Sequence, residues 1–115
     1  MKDINGSLQY KGKTYRLVFN LNVMEEIQEE YKTLAEWGSL TDGVDSEPNA
    51  KAVLFGLTAM LNEGIDIDNE ENGTNEPFLT RKQVGRLLTE VGILDATTAM
   101  HDTVIQSTQS AEKNE

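Results

Sequence analysis

Cysteine is absent from this chain, which excludes a disulfide framework, a thiolate nucleophile and a cysteine-based zinc site. Proline occurs twice and histidine and tryptophan once each. The nine glycines are scattered over turns and helix ends and build no glycine-rich phosphate loop. Basic residues are scarce: 10 Lys and Arg stand against 20 Asp and Glu, for a net charge of −10. Nucleic-acid binding by phosphate neutralisation needs clustered cations, so DNA and RNA are poor partners, and the same sign disfavours an anionic membrane. No apolar run approaches the roughly 18–20 residues of a spanning helix, nor is there a basic start followed by an apolar stretch. The chain reads as cytoplasmic.

What is present suffices for one small domain. Leu, Ile, Val and Phe make up 28 of 115 residues, above the roughly 20% below which charged chains stay disordered. The pattern predicts an α+β fold, an N-terminal β-hairpin packed on three to four α-helices, with residues 1–105 as a single globular domain. From Leu8 to Phe19, Leu8 and Tyr10 alternate before Gly12, and Tyr15, Leu17 and Phe19 alternate after it. That is a hairpin signature, with Gly12 free to take the positive φ of a tight turn. Val23, Met24, Ile27, Tyr31 and Leu34 then recur at helical spacing, predicting a helix from Leu21 to Trp37, capped by Asn20 or by an Asn22/Glu25 capping box and ended by Gly38. Ser46 and Pro48 open a second helix whose stripe is Ala50, Val53, Leu54, Leu57 and Leu61, widened by Phe55 and Met60 and stopped near Gly64. Ile65 to Pro77 reads as an exposed acidic loop. Thr80 and Gln83 form a capping box ahead of a helix over Arg81 to Val91. Gly92 breaks it, a weaker fourth helix follows through Ile105, and Gln106 to Glu115 reads as a disordered tail. The expected core is Tyr15, Leu17, Phe19, Met24, Ile27, Tyr31, Val53, Leu54, Leu57, Leu61, Val84, Leu87 and Leu88.

Catalytic chemistry is hard to find. His101 has Asp102 and Thr103 beside it but no recognisable catalytic motif, and reads as a packing or surface histidine. Asp66, Asp68 and Glu70 alternate like a calcium loop, yet the sixth position from Asp66 is Glu71 where glycine belongs and the twelfth is Pro77 where glutamate belongs. No catalytic residue, metal site or cofactor is expected. Glu25, Glu26, Glu29 and Glu30 are harder to dismiss, because the i,i+4 pairs repel by roughly 0.2–0.5 kcal/mol each. Glu26, Glu29 and Glu30 form either a solvated acidic face or a docking surface that steers a basic amphipathic helix. Phe55 and Met60 either complete the core or leave an apolar patch through which weak homo-oligomers form.

Tyr15-Arg-Leu-Val-Phe-Asn20-Leu-Asn-Val-Met-Glu-Glu-Ile27, then Ala52-Val-Leu-Phe-Gly-Leu-Thr-Ala-Met-Leu61, then Leu79-Thr-Arg-Lys-Gln-Val-Gly85 resembles the tail assembly chaperones of long-tailed, siphovirus-type bacteriophages. The resemblance runs from about Ser7 to Ile105 and departs in the Asn- and Glu-rich stretch from Asp66 to Glu76, which looks like an insertion. It implies a non-enzymatic protein of the bacterial host's cytoplasm, absent from the mature virion. Such a protein binds the helical tape-measure protein, keeps it soluble and supports assembly of the tail tube, with the major tail-tube protein as a second partner. It also implies that this chain is the short member of a frameshifted pair. A rival reading of the net charge is an acidic phage inhibitor or nucleic-acid mimic that blocks a DNA-binding host protein; it requires the carboxylates to form one continuous stripe.

Overall fold

A computed structural model describes residues 6–44 and 47–113, the side chains of 109–113 excepted. The elements follow in the order β1 (Ser7–Tyr10), β2 (Lys13–Arg16), α1 (Leu21–Tyr31), α2 (Leu34–Thr41), α3 (Ala50–Asn72), α4 (Arg81–Val91) and α5 (Ile93–Lys113). The architecture is the expected α+β hairpin on helices, with five helices in place of three to four.

The hairpin is antiparallel, pairing Leu8 with Tyr15 and Tyr10 with Lys13. Lys11 and Gly12 form its turn with φ of 53° and 76°, the two positive values of a type I′ turn. Pairing continues for one bond past β2, from the Leu17 amide to the Gly6 carbonyl (2.9 Å). Leu17 and Phe19 are buried while Tyr15 packs at the edge of the core.

The first helical stretch is two helices. The Asn20 side chain accepts from the Val23 amide at 3.2 Å and caps α1, whereas the Asn22/Glu25 box does not form. Lys32, at φ 74°, ends α1. Thr33 then caps α2 by accepting from the Glu36 amide at 3.0 Å, and α2 continues through Gly38 to Thr41. The break turns the chain so that Trp37 enters the core, its indole Nε1 donating to the Ala52 carbonyl at 2.9 Å.

α3 is the central element, lying against α1, α2, α4, α5 and β2. Asn49 caps it, accepting from the Ala52 amide at 3.0 Å; Ser46, a candidate for that role, lies outside the described residues. The helix passes straight through Gly64, and residues 65–72 are helical rather than a loop. Gly64 is a packing notch: a Cβ there would meet the Arg16 carbonyl oxygen at 2.7 Å, and the Val18 amide donates to the Met60 carbonyl at 3.3 Å nearby. The cationic hairpin pairs with the acidic end of the helix and the segment after it, Arg16 on Asp68 at 2.8 Å and Lys13 on Glu76 at 3.2 Å. Gly73, in the left-handed conformation at φ 66°, ends α3.

α4 keeps the expected bounds and both halves of its capping box: Gln83 N donates to Thr80 Oγ1 (3.2 Å) and Thr80 N to Gln83 Oε1 (2.8 Å). α5 continues past Ile105 to Lys113, so residues 106–113 are helical, and 114–115 lie outside the described residues. Threonine is a poor helix former because its hydroxyl competes for backbone partners. Here Thr97, Thr103 and Thr108 each donate to the carbonyl four residues back, at 2.6, 2.8 and 3.0 Å, which satisfies the hydroxyl within the helix. One buried cluster joins Leu8, Phe19, Ile27, Trp37, Leu57, Val84, Leu87 and Met100 across hairpin and helices.

Candidate partner-binding surfaces

Glu25, Glu26 and Glu29 are exposed on α1, where Glu26 lies close enough to Glu63 of α3 to be repelled by it. Desolvation, followed by the charges of Glu63, Glu25 and Glu29, raises the pKa of Glu26 above its ordinary value. Glu63 is itself held in place, accepting from Asn20 Nδ2 at 2.8 Å and Asn22 Nδ2 at 3.1 Å. Glu30 differs from its neighbours, since its carboxylate lies 3.7 Å from Lys51 of α3. The structure thus brings Glu26 against Glu63, which the spacing along α1 could not show, and pairs Glu30 with Lys51 at the surface.

Phe55 and Met60 do not form a shared patch. Met60 is 0% exposed and belongs to the core cluster, on the side of α3 where the hairpin exit crosses, so it is not open to a partner. Phe55 is half-buried, its ring edge-on to Tyr31 at 5.6 Å between centroids.

An open apolar groove lies elsewhere, between α3, α4 and the start of α5. It measures about 380 Å³ and is lined by Ala50, Val53, Leu54, Gly85, Leu88, Thr89 and Ile93. Gly85 leaves the floor open, with Leu54 Cδ2 4.0 Å from where a Cβ would stand. Ile93 on its lining is 44% exposed, and Leu94, the next residue along α5 and outside the lining, is 72% exposed. The signal for this groove was a glycine interrupting the α4 stripe and an Ile-Leu pair directly after Gly92.

His101 packs inward from α5. Its Nε2 is 2.7 Å from Thr41 Oγ1 and its ring stands edge-on to Trp37, 6.1 Å between centroids. Burial lowers its pKa, against the smaller opposing pull of Asp42 and Asp102. A hydroxyl beside an imidazole resembles a nucleophile and base, but Thr41 is 0% exposed and also hydrogen-bonds the Gly38 carbonyl at 3.2 Å. No substrate can reach that oxygen in this packing. Asp66, Asp68 and Glu70 stand on a helix instead of a loop, and among the described residues no three His, Cys, Asp or Glu side chains gather to hold a metal. Among the same residues no helix is long and apolar enough to cross a membrane.

Set against family models, curated proteins and solved structures, the chain matches none.

Proposed function

We propose that this protein is a non-enzymatic tail assembly chaperone of a long-tailed phage, acting in the cytoplasm of the bacterial host and absent from the finished virion. Its client is the tape-measure protein, an amphipathic helix of which lies in the groove between α3, α4 and α5; the tail-tube protein is the second partner. The observation that carries this reading is that groove, an apolar trough of about 380 Å³ that takes a few side chains of one helix face, lined in part by the exposed Ile93 and followed by the exposed Leu94, on a chain of net charge −10. An apolar groove accepts one face of an amphipathic helix, and the surrounding negative charge steers a basic polar face and keeps the complex from self-precipitating. Glu26, Glu29 and Glu63 add to that field from the α1 side of α3. The element order also supports the resemblance: hairpin, Asn20-capped helix, apolar central helix, Thr80-capped helix. Weak self-association belongs to this proposal through Ile93 and Leu94, since Met60 is closed.

Co-expression with the tape-measure protein tests it. Ile93→Glu with Leu94→Glu, both at exposed positions, should leave the chaperone folded and drive the tape measure into the insoluble fraction. Undiminished tape-measure solubility with that double variant removes the groove from the proposal.

The acidic-inhibitor reading is favoured by one feature: the acidic run 66–71 is helical, so its carboxylates continue the Glu26/Glu63 region along α3 rather than decorating a loop. Against it stands the pairing of Asp68 with Arg16, which interrupts the run. Competition with duplex DNA for a DNA-binding host enzyme would favour the inhibitor over the chaperone.

A further inference from the structure

Of the ten basic residues in the sequence, Lys11, Lys13 and Arg16 belong to the hairpin and Arg81, Lys82 and Arg86 to α4. The two elements pack together, and three of these cations, Lys11, Lys13 and Arg86, line one groove, while Arg16 lies on the other side of the sheet with Asp68. Between them lies a groove of about 290 Å³, distinct from the one described above. The hairpin register puts Leu8, Tyr10, Lys13 and Tyr15 on the same side of the sheet. Leu8 fills the core, while Tyr10 and Tyr15, half-buried, wall the groove with Leu79. Lys11, Lys13 and Arg86 form its rim. The lysine ammonium groups stand 5.3 Å from the Tyr10 ring centroid and 5.4 Å from that of Tyr15, so the rings hold the cations at the edge of an apolar trough. Among the described residues Lys11 and Arg86 have no carboxylate partner, and Lys13 has Glu76 at 3.2 Å.

From this arrangement we infer that the hairpin–α4 groove binds an acidic peptide segment of a partner protein, with one aromatic or branched side chain against Tyr10, Tyr15 and Leu79 and flanking carboxylates on Lys11 and Arg86. The chain's own Glu76 on Lys13 shows a carboxylate already seated on this rim. The chemistry favours a short peptide over nucleic acid. A phosphate polymer needs a run of unpaired cations, whereas this rim offers two, Lys11 and Arg86, at the ends of an apolar wall that suits a side chain, and the groove has no glycine-rich amide cradle for phosphate. This surface is separate from the α3/α4/α5 groove and does not depend on the chaperone reading.

The test uses the full chain and a fluorescently labelled, amidated peptide Asp-Glu-Phe-Asp-Glu, with Asn-Gln-Phe-Asn-Gln as its neutral control, followed by anisotropy. Saturable binding of the acidic peptide is expected, weakening as salt rises because the rim is exposed. Lys11→Asn should weaken it by about fivefold, the scale of one exposed ion pair, and Arg86→Gln by about tenfold, a charge-assisted contact. Lys11→Asn also places an Asn-Gly pair in a type I′ turn, which that turn prefers; a melting temperature equal to or above the parent's excludes unfolding as the cause. Glu76→Gln, which releases Lys13, should tighten binding by about twofold. Ile93→Glu should leave it unchanged. Equal affinity for the neutral peptide, no saturable binding, no loss in both Lys11→Asn and Arg86→Gln, or displacement of the peptide by adenosine monophosphate at equimolar concentration would overturn the inference.

Discussion

The indole of Trp37 lies against Gly56 through Cζ2, Cε2 and Nε1, at a place where any side chain on α3 would collide with it. α2 and α3 therefore pack as a bulky residue into a glycine notch, locked by the hydrogen bond from Trp37 Nε1 to the Ala52 carbonyl. Gly56→Ala should destabilise the protein by about 1–3 kcal/mol, the usual cost of overpacking a closed core. Gly38→Ala is the control: a Cβ there meets nothing within 4 Å, so removing an interior helical glycine should stabilise by about 0.5–1 kcal/mol. Urea denaturation of both variants, read by Trp37 fluorescence, checks the opposite signs.

His101 makes stability fall on acidification. Its folded pKa lies below its ordinary value because burial disfavours the imidazolium, so between the two values the unfolded chain binds more protons than the folded one. Its full contribution is present above the unfolded pKa of about 6.5 and declines as pH drops through the window below it. Unfolding midpoints between pH 7.5 and pH 5 should decrease in the parent protein, and the slope should be shallower in His101→Gln. An identical slope in the variant would remove His101 as the cause.

Glu26 has the opposite sign in a lower window. Its folded pKa is raised, so its carboxylate is least costly below the ordinary glutamate value and opposes folding as pH rises through the folded one. Glu26→Gln should therefore stabilise at pH 7, by roughly a few tenths of a kcal/mol given its exposure to solvent, and the gain should vanish near pH 4. Paired melts at the two pH values measure it.

The hydroxyls of Tyr31 and Thr58 are buried without a hydrogen-bond partner among the described residues. Replacing an unpaired buried hydroxyl by an apolar group of the same shape is neutral or favourable. Thr58→Val should raise stability by about 0.5–1 kcal/mol and Tyr31→Phe should do no harm; a loss above about 1 kcal/mol in either would mean that the hydroxyl has a partner.

Residues 65–72 provide a test of helix extent. Asn69 closes the end of α3 by accepting from Thr74 Oγ1 and the Glu76 amide, both at 2.9 Å, and donating to the Glu76 carbonyl at 3.0 Å. Amide exchange over this stretch should be slowed as in a helix, and Asn69→Ala should speed it while leaving α4 protected. Exchange at free-chain rates in the parent would contradict the helix.

Elements carrying their own local instructions were legible in the sequence. Tyr10 to Tyr15 encode a hairpin through period-two alternation and a glycine turn, and Thr80 with Gln83 encodes the start of α4 through two reciprocal hydrogen bonds. The break at Lys32 was also written there, in the Thr33-x-x-Glu36 pattern, but the Tyr31 to Leu34 spacing fits a continuous helix equally well. Ile27, Leu57, Val84 and Leu87 were recognisable as core from spacing alone.

Gly56 and Gly64 depended on tertiary structure. A helical glycine is locally unfavourable: Gly56 lies inside the predicted stripe without a local reason for being there and Gly64 reads as a stop, yet each lets another part of the chain approach, the Trp37 ring at one and the Arg16 carbonyl at the other. The acidic end of α3 is likewise poor helix by its own charge, since carboxylates oppose the dipole at a C-terminus; Arg16 of the hairpin pairs with Asp68 there, and Lys13 with Glu76 just after it. Met60 was ambiguous for the same reason, because periodicity places a residue on a face and only the neighbouring elements decide whether that face is covered. Local propensity and spacing thus determined where strands and helices begin, while long-range packing decided how far α3 extends, which apolar face is closed over Met60 and which stays open at Ile93 and Leu94.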